Sequence, residues 1–187
     1  MYTYISMLRG INVTGHRMIK MIELKALYES LRFKNVSTYI QSGNVVFQSR
    51  SNDPVSIGTT LEKAIEKSFG FPVSVVLRRP AELRKIIGRC PFLGAMRADE
   101  SRLCITFLQS RPKPLLIKTM APMAARSTDT YAVIGKEIYL HCPNGYGKTI
   151  FSIGFFEKNL KVVATTRNWR TLHTLISMSS ESDRTDS

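Results

Sequence analysis

Apolar and polar residues alternate from Tyr2 to Leu8, the period of a half-buried β-strand. A long loop with two glycines follows, Arg9-Gly10-Ile11-Asn12-Val13-Thr14-Gly15-His16-Arg17. From Lys20 to Leu31 the period changes to that of a helix, with Met21, Leu24, Leu27, Tyr28 and Leu31 on one stripe. Two β-prone runs then meet at Gly43-Asn44, within Val36 to Phe47, and predict a hairpin with a two-residue turn. Ser51-Asn52-Asp53-Pro54 breaks the pattern and opens a helix to about Phe69, with Ile57, Leu61, Ala64, Ile65 and Ser68 on one face and Gly70 ending it. Pro72 to Leu77 completes the first set as a strand.

After a short helix at Ala81 to Gly88 the order repeats. Arg102 to Leu108 predicts a strand and Pro114 to Ala121 a helix shortened by its prolines. Thr130 to Ile134 and Glu137 to His141 flank Gly135-Lys136 as a hairpin. Thr149 to Leu160 reads as a helix, Val162 to Thr165 as a strand, and Asn168 to Met178 as a terminal helix. Strand, helix, strand, strand, helix, strand is the order of the split βαβ unit with right-handed crossovers. The expected fold is therefore α+β: two ferredoxin-like (βαββαβ, alpha-beta plait) domains in tandem with an extra C-terminal helix. The expected bounds are 1–79, then 80–178 with its linker helix, and a polar, disordered tail over 179–187.

Basic residues outnumber acidic ones by 27 to 14. The chain of 187 residues carries a formal net charge of +13, which favours anionic partners, either nucleic acid or phosphorylated small molecules. The excess is spread, with 11 basic against 5 acidic residues over 1–79 and 16 against 9 over 80–187, so a merely soluble basic surface is the alternative. No apolar run reaches the roughly 18 residues of a membrane span, and Met1 to Leu8 lacks the basic lead-in of a signal peptide. Cys90, Cys104 and Cys142 have no paired spacing and read as buried thiols of a reducing compartment, which places the protein in the cytoplasm with no membrane partner. His16, His141 and His173 form no metal pattern, no nucleophile–base set or acid pair stands out, and no cofactor is implied.

Topology sorts the polar loops into two groups. The strand at the N-terminus and the first strand of the hairpin run parallel in this fold, so Arg9, Asn12, Thr14 and His16 come to the same end as Gln41, Ser42 and Asn44, at the start of the first helix, where free N–H groups suit an anion. In the second domain Pro143 to Thr149 and Thr165 to Trp169 leave one edge of the sheet, which groups Lys148, Thr149, Arg167 and Asn168. Gly147-Lys148-Thr149 has Cys142 where a phosphate-binding P-loop needs its first glycine, leaving an ordinary turn or a looser anion nest. Trp169 is either a core anchor or a stacking surface. Arg167, read at a helix start, needs an internal carboxylate such as Asp129 or Glu137, or an anionic ligand. Tyr2, Tyr4, Tyr39 and Phe47 lie on strands as in RNA-reading sheets, but Val45-Val46-Phe47-Gln48 lacks the basic-aromatic signature.

Leu8-Arg9-Gly10-Ile11-Asn12-Val13, Met21 through Leu24, Thr38 through Phe47 and Thr166-Arg167-Asn168-Trp169-Arg170-Thr171 together resemble the bacterial family catalogued as domain of unknown function 1697, over the chain to about Met178. The resemblance implies a pair of ferredoxin-like domains and no established activity. Thr14 departs from a second glycine in the family pattern, and the stretch at Lys148-Thr149-Ile150 departs from a serine before lysine. The expected function is binding of an anionic ligand, with Arg9, Asn12, Gln41, Ser42 and Asn44 at one pole and Lys148, Arg167 and Asn168 at the other. The alternatives are an enzyme that acts on a small anionic metabolite by electrostatic stabilisation, and polar loops that serve only interdomain structure.

Overall fold

The computed structural model describes residues 1–13, 15–94, 98–124 and 127–184. The chain is α+β, with two four-stranded antiparallel sheets and, among the described residues, six α-helices. It divides into two compact units, Met1–Arg84 together with the chain from Thr174 on, and Lys85–His173. No helix among the described residues is long and apolar enough to cross a membrane.

In the first unit the sheet order is β2-β3-β1-β4, built from β1 (Tyr2–Leu8), β2 (Lys34–Tyr39), β3 (Asn44–Ser49) and β4 (Val75–Arg78). β1 is antiparallel to β3 and β4, and β2 to β3, so β1 and β2 run the same way. The helices α1 (Met21–Ser30) and α2 (Pro54–Phe69) bury Leu24, Tyr28, Ile57, Leu61 and Ile65 against Tyr4, Leu8, Val45 and Phe47. Local chemistry sets the ends of α2. Asp53 accepts from the Val55 N–H at 2.9 Å, and Gly70 closes the helix at φ 80°, a conformation that only glycine enters without strain.

The second unit repeats the order as β6-β7-β5-β8. Its elements are β5 (Leu103–Leu108), α4 (Pro114–Ala124), β6 (Thr130–Ile134), β7 (Glu137–His141), α5 (Ile153–Leu160) and β8 (Ala164–Asn168). Its core joins Cys104, Leu108, Ile138, Leu140, Phe151, Phe156 and Ala164. Two helices complete the chain, α3 (Pro80–Gly88) and α6 (Trp169–Arg184).

Four expectations need correction. The first hairpin turns through Ile40 to Gly43, not through Gly43-Asn44: Tyr39 pairs with Asn44, which is a fully buried strand residue. α5 starts at Ile153, after a single 3-10 turn at Tyr146–Lys148, because Thr149 and Ser152 spend their hydroxyls on the N–H groups of Phe151 and Phe155. β8 runs on to Asn168, held by β5 up to the pair Cys104 with Asn168, so Arg167 is a strand residue. α6 runs past Met178 because its buried stripe continues at Ser179, whose hydroxyl donates to the Ile176 carbonyl at 2.7 Å. The expected tail beyond Arg184, and Thr14 in the first loop, lie outside the described residues.

Candidate functional site

Where β1 ends, the chain crosses the tip of the β2–β3 hairpin. The Leu8 N–H donates to the Gly43 carbonyl at 2.8 Å. Gly43 has φ 73°, and a Cβ there would stand 2.7 Å from Leu8 Cβ and 2.7 Å from Ile11 Cδ1. Only glycine lets the hairpin close this tightly over the loop. Asn44 turns inward, its Nδ2 donating to the Tyr39 carbonyl at 3.1 Å and to Ser42 Oγ at 2.9 Å. Gln41 is exposed and Ser42 half-buried.

Asn12 ties loop to hairpin. At φ 55°, a conformation asparagine tolerates, its Nδ2 donates to the Gln41 carbonyl at 2.7 Å and the Ile19 carbonyl at 2.9 Å, while its Oδ1 accepts from the Ile19 N–H at 2.8 Å. Two further bonds fold the loop into a small hairpin, Asn12 N–H to the Arg17 carbonyl at 3.2 Å and His16 N–H to the Val13 carbonyl at 3.0 Å. The structure thus brings Asn12 to Gln41, and Ser42 to Asn44; Arg9 is half-buried beside them in sequence, its N–H donating to the Ser74 carbonyl at 2.9 Å.

His16, Arg17 and Lys20 are exposed along this loop. They stand ahead of α1, whose N-cap residue Lys20 makes no side-chain cap bond, so the first N–H groups of the helix are not capped from within it. Lys20 Nζ lies 3.5 Å from Glu23 Oε1, a surface pair worth little. Val13 and Met18 in the same loop, Ile22 in the first turn of α1 and Ile40 at the hairpin tip are exposed and account for four of the ten exposed large apolar residues described, so this end is both basic and apolar. Arg17 and Lys20 were not singled out from sequence, although a signal was there: no carboxylate precedes Glu23.

The second group does not gather in the same way. Arg167 is 7% exposed and shares the face of β8 that carries Thr165, opposite the core face of Ala164. Its Nη1 donates to Thr165 Oγ1 and to the Thr166 carbonyl, both at 2.8 Å, and burial lowers its pKa to about 10. The loop that carries Lys148 lies over the other face, where Tyr146 Oη donates to Thr166 Oγ1 at 3.2 Å. Lys148 is exposed. Asn168 caps α6, its Oδ1 accepting from the Thr171 N–H at 2.8 Å. Trp169 is buried, with no hydrogen-bond partner for its indole N–H among the described residues.

Aromatic and thiol chemistry is internal. Tyr4 stacks on Phe47 in the core at 5.8 Å, and the Arg79 guanidinium lies 5.1 Å from the Tyr2 ring centroid and 5.5 Å from that of Tyr4. Tyr28 shares a 2.6 Å hydrogen bond with Ser6, and burial pushes its pKa up. Burial also raises all three thiols, Cys104 to about 12, so none is a ready nucleophile. Among the described residues no group of three or more His, Cys, Asp and Glu is placed to hold a metal.

A family model described as "Protein of unknown function (DUF1697)" matches residues 1–139. That stretch holds the first unit's loop and hairpin and stops short of the Thr-Arg-Asn-Trp motif. Among solved structures, the conserved bacterial protein SP0830 from Streptococcus pneumoniae is similar at 21% identity and a TM-score of 0.67, covering 95% of this chain and 98% of its own. No curated protein matches the chain.

Proposed function

The chain belongs to the DUF1697 family of proteins of unknown function, and we propose that its first unit binds an anionic ligand, nucleic acid being the class it suits best. The observation that carries this reading is the Asn12 brace. It holds a basic loop against the hairpin tip and in front of a helix start whose N-cap residue, Lys20, makes no side-chain cap bond. Arg17 and Lys20 supply charge to phosphates, and Gln41 supplies an exposed amide beside them. Because the cations are exposed on a loop that also exposes Val13 and Met18, with Ile22 and Ile40 exposed on the elements next to it, an extended polymer with apolar base faces fits better than a small phosphate.

Several supporting proposals go with it. The strand orders β2-β3-β1-β4 and β6-β7-β5-β8 support reading each unit as a ferredoxin-like sandwich. Arg167 and Asn168 serve the second unit's architecture, and Lys148 is an auxiliary contact. Three reduced, buried thiols support a cytoplasmic setting.

The test is binding of single-stranded and duplex oligonucleotides to the wild type and to Arg17→Ala/Lys20→Ala across a range of salt. The double variant should bind more weakly and lower the salt slope by about 1.4 for single strands, two phosphate contacts being lost. Equal affinity and slope, with an unchanged melting temperature, would refute the reading.

A further inference from the structure

We propose that the outer edge of β6, with the apolar side of α4 next to it, pairs with the same edge of a second copy of this chain. The two sheets have four edge strands, β2, β4, β6 and β8. β2 is broken by a register shift between Lys34 and Ser37 and starts on an exposed lysine. β4 ends in Arg78, whose Nη1 donates to the Leu77 carbonyl at 2.8 Å. β8 carries Arg167, whose Nη1 takes the Thr166 carbonyl. Each of these edges therefore carries a charge, a bulge or an occupied carbonyl, the usual devices against strand addition. β6 reads Thr130-Tyr131-Ala132-Val133-Ile134: no charge, no proline, and an unbroken register with β7.

The hydrogen-bond phase shows what this edge offers. The Leu108 N–H donates to the Lys136 carbonyl and the Cys142 N–H to the Arg102 carbonyl, so the even-numbered residues of β7 bond to β5. The odd-numbered residues Glu137, Tyr139 and His141 therefore bond to β6, at Ile134, Ala132 and Thr130. Tyr131 and Val133 are left with N–H and C=O groups directed outward.

A two-fold axis through Ala132 meets this pattern with itself. Tyr131 of one copy faces Val133 of the other, and the reverse, which makes four backbone hydrogen bonds. Ala132 faces its own copy, and Ile134 faces Thr130. No like charges oppose each other, so the strand is self-complementary in the way a closed dimer requires. A strand of this length buries too little for a stable interface, which needs about 1,200 Å² or more. α4 supplies the remainder. It packs beside β6, and from Pro114 to Met123 its only polar residues are Lys118 and Thr119. Leu115, 73% exposed, Ala121 and Pro122 face solvent together with Lys118 and Thr119, and Ile134 at the end of β6 is also exposed. A charge-free strand edge whose hydrogen-bond phase matches itself about a two-fold axis selects a second copy over an acidic or basic peptide.

The experiment is sedimentation of the full chain across a wide concentration range, with three variants. The wild type should pass from monomer to dimer. Val133→Pro removes one outward N–H that β7 does not use, and Ile134→Lys places a charge on the exposed edge; both should sediment as monomers with circular dichroism like the wild type. Ala132→Cys should form an intermolecular disulfide under mild oxidation, since directly opposed residues of a non-hydrogen-bonded pair lie about 4.5 Å apart at Cα, within disulfide reach. A wild type that stays monomeric, a dimer that survives both edge variants, or an Ala132→Cys chain that does not cross-link would each overturn the proposal.

Discussion

Replacing Gly43 with alanine should destabilise the first unit well beyond the cost of its backbone conformation alone. Its φ of 73° is one L-residues avoid, at about 1–2 kcal/mol. The new methyl would also stand 2.7 Å from Leu8 Cβ and from Ile11 Cδ1. Ile11 Cδ1 ends a side chain that can rotate, but Leu8 Cβ is fixed to β1, so the strand itself must move, and overpacking of this kind costs about 1–3 kcal/mol. Alanine returns about 0.4–1 kcal/mol by stiffening the unfolded chain. The net loss is about 2–4 kcal/mol. Gly70 is the control: it has φ 80°, and a methyl added there would meet nothing within 4 Å, so Gly70→Ala should lose only about 0–1.6 kcal/mol. Urea melts followed by circular dichroism, with hydrogen exchange at β1 and β3 to assign the change, should put the Gly43→Ala midpoint about 1–2 M below wild type at a slope near 2 kcal/mol per molar. Midpoints for the two variants within about 0.3 M of each other would refute the claim that Leu8 closes the space behind Gly43.

Asn12→Ala should cost about 1–2 kcal/mol, three partly exposed hydrogen bonds being lost, and should abolish exchange protection at the Ile19 amide. Asn12→Asp should be at least as damaging, because it sets a carboxylate oxygen against the Ile19 and Gln41 carbonyls; a more stable Asp variant would contradict the assigned amide orientation. The three cysteines are buried in the second unit, so native thiol labelling should be slow, appear only on opening of that unit, and be little changed by Gly43→Ala. Cys104 keeps its proton up to about 12 in the folded chain; the unfolded thiol loses its own near 9, so the unfolded state binds fewer protons above that pH and stability falls as pH rises. Between pH 9 and 10 the loss should be about 1 kcal/mol, less in Cys104→Ala, as urea midpoints would report.

Elements fixed by local chemistry were readable in advance. Asp53 and Gly70 bound α2, and Gly135-Lys136 turns β6 into β7, because each side chain or backbone preference acts within a few residues. The first hairpin misled for a physical reason. Glycine followed by asparagine suits a turn, yet Asn44 is drawn into β3 by bonds to Tyr39 and Ser42, and Ile40 takes a positive φ of 47° that its branched side chain disfavours. Arg167 misled because Thr-Arg-Asn resembles a helix start; its strand is held by pairing with β5, which no local signal reports. The meeting of Asn12 with Gln41 was legible from topology alone, since β1 and β2 run the same way. The exposure of Arg17 and Lys20 was not, because it depends on how Asn12 folds the loop back on itself.

The first unit draws on both ends of the chain, and this bears on its biosynthesis. Arg84 closes its long segment, and Arg84 Nη2 donates to Ser180 Oγ at 2.9 Å across 96 residues of sequence. At the usual 5–20 residues per second, a ribosome takes roughly 5–19 s to make what lies between. The four strands of the first sheet are complete before that interval begins, and the α6 segment that finishes the unit arrives after it. A nascent chain stalled in the second unit would therefore display a first unit that still lacks the α6 segment belonging to it.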